Sequence, residues 1–394
     1  MSDRVKKLDD WLVISALLLG GLGLVMIYSA SAMSAEKNFD DGEFYLKRQF
    51  LTYILGAVTM YLFSQVDYQH YRRFALPLLV VALFLLVLVL IPGIGYVAGK
   101  ARRWIDLGFI RFQPAEIAKL ALILHLSYAL EKKDDEKLNS FTYGFIPHLI
   151  IVGIMAALML AQPDFGSAIT LVVILGFLLF IAGAKLGYLM AMGIVALPVV
   201  GYLILSNPER YERMTIFLDP FSDRFGAGYQ LSESLITIGS GGLFGVGPGA
   251  GKQKLFFLPE AHTDFIFSII AEELGFVGVI FVLTLILVII ARGIHIAHTA
   301  ADEFGRYLAY GITFSFGMQA FVNIAMAMAM LPTKGLTLPL VSYGGTSMLI
   351  TYAALGALLN IATGGENAVE KRRQGGANRQ FAVSMRYKKR GRRG

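Results

Sequence analysis

Four stretches of this 394-residue chain place ionisable side chains where chemistry can occur. In Leu258-Pro259-Glu260-Ala261-His262-Thr263-Asp264-Phe265, Asp264 stands where a long polar connection meets an apolar run. A carboxylate there can cap a helix or be solvated. With His262 beside it, it can also serve as a general base or a metal ligand. Glu272 and Glu273 follow, but Glu272 lies two helical turns deeper, about 12 Å, too far to share one proton transfer with Asp264. A second stretch runs from Arg102-Arg103-Trp104-Ile105-Asp106 to Gln113-Pro114-Ala115-Glu116-Ile117-Ala118-Lys119. Glu116 and Lys119 are three apart, share a helix face and can pair. The pair is structural, or it walls a substrate cavity, and the two roles are compatible. In Gln162-Pro163-Asp164-Phe165-Gly166-Ser167, a tight break, Asp164 either caps the helix that follows or contributes to an acidic site. The fourth stretch, Leu331 to Ser347, holds Pro332, Pro339, Gly335, Gly344 and Gly345, which exclude continuous helix. Such backbone at membrane depth is tolerated only against protein or a watery cavity. Lys334 within it either holds a phosphate or anchors at an interface. Gly245 to Gln253 imitates a phosphate loop but fails GxxxxGK[ST] at Val246 and at Gln253, so nucleotide binding is not indicated.

The elements that must position these groups are membrane spans. Hydrophobic residues make up 56% of the chain and charged residues 16%, too few charges to build a water-facing surface. An ordinary soluble enzyme and a disordered chain are both excluded. Cysteine is absent, which removes disulfides, iron–sulfur clusters and thiol nucleophiles. The six histidines do not pair at zinc-ligand spacing. Apolar runs of about 20 residues, the length of a spanning helix, predict ten spans at 11–32, 48–66, 74–92, 113–130, 146–163, 165–184, 186–206, 263–291, 307–331 and 346–363. The fold class expected is an all-α polytopic membrane protein of about ten helices. Its domains read as an N-terminal segment 1–10, a membrane region 11–363 with a long outer loop at about 207–262 between helices seven and eight, and a tail 364–394. Leu231 to Ile238 has partial helical periodicity, which predicts a short interfacial helix. Ala30-Ser31-Ala32 resembles a signal cleavage site, but the run before it exceeds the usual 7–15 residues, so a retained span is the better reading.

The net charge of +7 is a property of the tail: from Glu366 onward there are ten Lys/Arg against two Asp/Glu, while the rest of the chain has 25 against 26. That tail suits anionic headgroups on the cytoplasmic side better than nucleic acid. Ten spans put both termini on one face, and their basic character assigns that face to the cytoplasm. Without the tail the two sides carry 11 and 13 cations, and the surplus on the outer side calls for an anionic substrate.

Taken together, the four stretches and Tyr45-Leu46-Lys47-Arg48-Gln49 resemble the SEDS family (shape, elongation, division, sporulation) of bacterial wall proteins. Pro332-Thr333-Lys334-Gly335-Leu336-Thr337-Leu338-Pro339 is similar to its division-type members; elongation-type relatives tend to lack the lysine. The resemblance implies a peptidoglycan glycosyltransferase that polymerises lipid II on the outer face of the cytoplasmic membrane, at the division septum. It makes Asp264 the catalytic residue and places Glu116, Lys119 and Asp164 in the central cavity. The pyrophosphate of lipid II would meet Arg48, Arg102, Arg103 and Lys334, with Ser342 also binding substrate. Inversion at the anomeric carbon needs a base, which Asp264 can be, and stabilisation of the leaving pyrophosphate by cations or by Mg2+ or Mn2+. The implied partner is a class B penicillin-binding protein, a transpeptidase, within a division complex. A lipid II flippase, an elongation-type polymerase of the same family and a purely structural scaffold are the rival readings.

Overall fold

The computed structural model describes residues 9–98, 101–106, 108, 111–133, 135–251 and 261–364. The N-terminal eight residues and the basic tail from 365 lie outside the described residues. The chain folds into helices α1 (Asp10–Phe39), α2 (Phe44–Gln65) and α3 (Tyr71–Leu90), then strands β1 (Gly95–Ala98), β2 (Ala101–Asp106) and β3 (Arg111–Phe112). Helices α4 (Pro114–Glu131), α5 (Asp135–Leu138), α6 (Ile146–Ala161), α7 (Phe165–Ile181) and α8 (Leu186–Leu205) follow. Next come α9 (Pro208–Leu218), α10 (Tyr229–Ser240), α11 (Ile266–Thr299) and α12 (Glu303–Ala327), and a last helix α13 (Gly345–Gly364).

Seven of these segments are long and apolar enough to cross a membrane: α1, α3 with its leading turn, α6 with its leading turn, α8, α11, α12 and α13. The 17-residue α7 is shorter. Two more helices are polar at one end, α2 with Lys47 and Arg48 and α4 with Glu116 and Lys119. These three complete the ten-helix bundle, α2 packed on α1, and α4 among α3, α7 and α12. The protein is an all-α polytopic membrane protein. Lipid-like exposure of Phe, Leu, Val and Ile along α2, α3, α8 and α11 fits that reading.

Local sequence explains the ends. Asp9 caps α1 by accepting from Leu12 N, and Asp302 caps α12 by accepting from Gly305 N. Pro114 occupies the first turn of α4, where its missing N–H costs nothing. Small residues let helices approach: a methyl on Gly20 would meet Tyr352 Oη at 2.3 Å, and one on Gly56 would meet Tyr352 Cδ2 at 2.3 Å. Tyr352 is fully buried where α1, α2 and α13 meet.

A thickness can be read from α1. Asp9 pairs with Arg292 at 2.6 Å, and twenty residues on, Ser29 Oγ donates to Glu273 at 2.7 Å. Twenty helical residues rise about 30 Å, one hydrocarbon core. The Asp9–Arg292 pair therefore marks the face carrying the described chain ends, and Glu273 marks the opposite one, here called the site face. At that level α11 breaks at Gly275 (φ 65°, ψ −164°), backbone space open only to glycine. The groups freed by the break are stitched to a glycine-rich hairpin: Phe276 N donates to Gly242 O, Val277 N to Leu243 O, Val246 N to Glu272 O and Gly247 N to Glu273 O.

Three elements of the site face depart from the sequence reading or refine it. The antiparallel sheet β1–β2–β3 caps the segment between α3 and α4; its short strands carry no run long enough to signal themselves. Helix α9 is amphipathic and buries no side chain. The helix expected around 231–238 is present as α10, and it packs on α11 and α12, with Ser234 Oγ donating to Ala327 O at 2.7 Å.

Candidate active site

Asp264 lies in the turn leading into α11, nine residues before Glu273, at the site face. Its backbone is clamped from three directions. Asn323 on α12, fully buried, donates from Nδ2 both to Asp264 O at 2.8 Å and to Leu336 O at 2.6 Å. Ser342 Oγ donates to Thr263 O at 2.6 Å and accepts from Leu338 N at 2.8 Å. Tyr343 N donates to His262 O at 2.9 Å. The 331–344 loop thus cradles the aspartate turn, and α2 holds the loop: Gln49 Nε2 donates to Ser342 O and Gln49 Oε1 accepts from Gly344 N, both at 3.3 Å. Tyr45 packs its ring 4.5 Å from His262 and 5.1 Å from Tyr343. A carboxylate on such a framework loses little entropy on meeting a substrate.

The cations divide by geometry. Arg102 and Arg103 are adjacent on β2, so they point to opposite faces. Arg102 Nη1 donates to Leu90 O at 3.1 Å, closing the end of α3. Arg103 faces the site: its Nε donates to Gln162 O at 3.4 Å and its Nη2 to Pro163 O. A methyl on Gly335 would stand 3.5 Å from Asp264 Oδ2 and 4.0 Å from Arg103 Nη1, so guanidinium and carboxylate face one small space. Lys334 brings its amine 5.6 Å from the centre of the Phe165 ring, and burial holds its pKa below that of an ordinary lysine. Arg48 lies on the other flank, its guanidinium 4.3 Å from the Phe44 ring and bonded to the Tyr343 hydroxyl, whose pKa burial raises.

The carboxylates divide as well. Asp164 caps α7, with Oδ1 accepting from Ser167 N at 3.1 Å and Oδ2 from Ser167 Oγ at 2.8 Å. It also borders the site, since a methyl on Gly166 would lie 3.9 Å from Asp164 Oδ1 and 3.8 Å from Lys334 Cδ. The two roles weighed for Asp164 therefore coexist. Glu116 and Lys119 pair at 2.8 Å, both buried. Lys119 Nζ also donates to Gln319 Oε1 at 3.1 Å, and Gln319 Nε2 donates to Thr337 O at 3.1 Å. This chain links the ion pair to the loop that carries Lys334. Beneath the loop opens a cleft of about 50 Å³ between α4, α12 and α13, polar at Glu116, Lys119, Gln319 and Thr351 and apolar at Leu120, Ile123 and Phe316.

Of the residues singled out in the sequence, Asp264, Arg103, Lys334 and Asp164 converge. Arg48 and Ser342 sit on the His262–Tyr343 flank, Glu116 and Lys119 lie below the loop, and Arg102 turns away. Asn323 and Gln319 were not singled out, and Gln49 only as the end of the Tyr45–Gln49 motif; all three are buried amides in apolar spans, and that oddity was the available signal. Among the described residues no three His, Asp or Glu gather as a metal site.

The signature of the FtsW/RodA/SpoVE family, described as cell cycle protein, matches residues 10–367. The chain belongs to the FtsW/RodA/SpoVE family. A relative from Geobacter sp. (strain M18), named probable peptidoglycan glycosyltransferase FtsW, is 47% identical over 360 residues, 91% of this chain and 98% of its own. Among solved structures, a chain of a peptidoglycan synthase complex that coordinates polymerization and crosslinking superposes with a TM-score of 0.74 at 31% identity, covering 90% of this chain and 97% of that one. The rod shape determining protein RodA of Thermus thermophilus gives a TM-score of 0.67 at 29% identity, covering 92% and 98%. The clamped Asp264 turn and the buried Glu116–Lys119 pair therefore sit within a fold shared with a chain of a peptidoglycan synthase complex and with RodA.

Proposed function

We propose that this protein is a peptidoglycan glycosyltransferase that polymerises lipid II into β-1,4 glycan strands at the outer face of the cytoplasmic membrane, in septal wall synthesis. The observation that carries the reading is a single carboxylate, Asp264, held by its backbone beside the Arg103 guanidinium and near Lys334. The geometry is consistent with both halves of an inverting transfer. The Asp264 carboxylate takes the proton from the acceptor's C4 hydroxyl as that oxygen bonds to the anomeric carbon of the donor. The carbon–oxygen bond to the diphosphate breaks, and its electron pair leaves on the diphosphate. Arg103 and Lys334 stand where that negative charge develops, and fixed cations in a water-poor site stabilise it strongly. Attack opposite the leaving group turns an α-linked donor into a β-linked product. A divalent cation, Mg2+ or Mn2+, would be held by the Asp264 carboxylate and would supply further positive charge against the diphosphate.

In this arrangement the site face is the outer one and both termini are cytoplasmic. The apolar side of the cavity receives the polyprenyl chain. The partner is a class B penicillin-binding protein whose transpeptidase crosslinks the strand, as suits a chain that resembles part of a peptidoglycan synthase complex.

Asp264→Asn tests the reading. It keeps shape and hydrogen bonding but removes the basic lone pair, and loss of a general base costs about 10²–10⁴-fold in rate. Purified with its partner and given labelled lipid II, the variant should insert and bind lipid II yet make almost no strand on a gel. Near-normal strands from Asp264→Asn would refute the assignment. Lipid II scrambling by the wild type in vesicles, without strands, would replace it with a flippase.

A further inference from the structure

Phe165, the first residue of α7, carries two cations on one ring. The Lys334 amine is 5.6 Å from the ring centre and the Arg210 guanidinium carbon is 5.0 Å from it. Arg210 comes from α9, a helix that buries none of its own side chains, at the end of α8, which buries none either. Arg103 approaches the same turn from β2, donating to Gln162 O and Pro163 O. Three positive charges from three separate elements therefore meet around residues 162–166.

Their neutralisation is incomplete. Among the described residues no carboxylate lies within ion-pair distance of Arg103, Lys334 or Arg210. The donors of the two arginines meet main-chain carbonyls instead, Arg210 Nη1 donating to Leu203 O at 3.0 Å. Asp164, in the same turn, spends both oxygens on Ser167. Two cations beside one ring repel each other, and the ring quadrupole offsets that repulsion only in part. Three cations around one turn, with Asp164 committed to Ser167 and Asp264 kept for the proton transfer, suit a polyanion.

Arg103 and Lys334 are cations that the family resemblance already gives to the pyrophosphate; we propose that Arg210 joins them, as the clasp that α9 lays over the leaving diphosphate. This deepens the polymerase reading and rests on it. Position selects the donor rather than the acceptor. The diphosphate that leaves is bonded to the reacting carbon and must lie next to Asp264, and Arg103 faces the same space as the Asp264 carboxylate. The acceptor's own diphosphate lies a disaccharide away from its reacting hydroxyl. The Phe165 ring beneath the cations would then pack against the first isoprene unit.

The test uses the full-length protein with its transpeptidase partner in detergent. Thermophoresis reads binding of farnesyl diphosphate and, separately, of phosphatidylglycerol; strand synthesis from lipid II gives KM and kcat. Arg210→Ala should weaken farnesyl diphosphate binding by about tenfold or more, the usual worth of a hydrogen bond to a charged group. It should raise KM for lipid II by a similar factor with little change in kcat. Arg210→Lys should fall between, and remains readable if the alanine variant aggregates. Arg213→Ala, on the exposed side of α9, should match the wild type. Unchanged diphosphate binding in folded Arg210→Ala would overturn the proposal, as would an equal loss for phosphatidylglycerol, which would make this a headgroup contact. A wild type that binds farnesyl diphosphate through Arg210 but makes no strands would support the site and sink the polymerase reading.

Discussion

The Glu116–Lys119 pair offers the sharpest energetic test of the fold beneath the site. The amine sits 2.8 Å from the carboxylate, with the two side chains only 5% and 10% exposed. At an effective dielectric of about 20, that separation corresponds to roughly 6 kcal/mol of gross attraction, most of it offset by desolvation. Removing one partner forfeits the attraction and leaves the desolvation, at about 3–5 kcal/mol. The two single variants should not cost the same. In Glu116→Gln, Lys119 keeps Gln319 Oε1 at 3.1 Å as an acceptor. In Lys119→Met, Glu116 loses its donor and so does Gln319, and a buried acceptor left unmet costs about 1–3 kcal/mol more. Lys119→Met should therefore be the worse of the two, and the double variant should cost less than the sum by about 2 kcal/mol. Equilibrium unfolding in mixed micelles, run as a double-mutant cycle, measures this. Additivity within about 0.5 kcal/mol would mean that the two charges do not interact, and the cavity wall would need another explanation.

Two further outcomes follow from the loop. Asn323→Leu removes the amide that joins Asp264 O to Leu336 O; displacing the base by about 1 Å should lower strand synthesis by roughly 10²-fold, and a rate near wild type would show that the clamp does not position Asp264. Lys334 has a pKa lowered by burial from the ordinary 10.5. Unfolding then takes up a proton, so this residue adds stability as pH rises between its folded value and 10.5, while its grip on an anion is lost over the same rise. KM for lipid II should climb on the alkaline side, and Lys334→Arg, charged throughout, should move that climb to higher pH; an unaltered profile would remove Lys334 from the anion site.

The spans were legible because hydrocarbon thickness sets their length: apolar runs of about 20 residues have no other use in so uncharged a chain. Their ends fall within a few residues of the helices found, apart from α1 and α11, which extend as far as Phe39 and Thr299. Asp264 was legible as well, as the ionisable residue where the long connection enters a span. What sequence spacing could not show was direction. Arg102 and Arg103 are chemically alike and adjacent, and only the pleat of β2, itself unmarked in the sequence, sends one to Leu90 O and the other toward Asp264.

Ser342 shows the same limit from the other side. It stands in a motif that suggests contact with substrate, yet its hydroxyl donates to Thr263 O and accepts from Leu338 N, so it shapes the ground on which Asp264 rests. The contacts that build this site span 59 residues for Asn323 to Asp264, 60 for Arg103 to Pro163 and 79 for Ser342 to Thr263. No local period encodes pairings at such distances. They arise because α12, β2 and the 331–344 loop are each fixed by burial elsewhere, and the polar groups they bring together are then obliged to satisfy one another. The motif residues named the chemistry. The buried amides Asn323, Gln319 and Gln49, with no acid–base chemistry of their own, hold that chemistry in place, and in an apolar span a buried amide is costly enough that each needs a structural reason to be there.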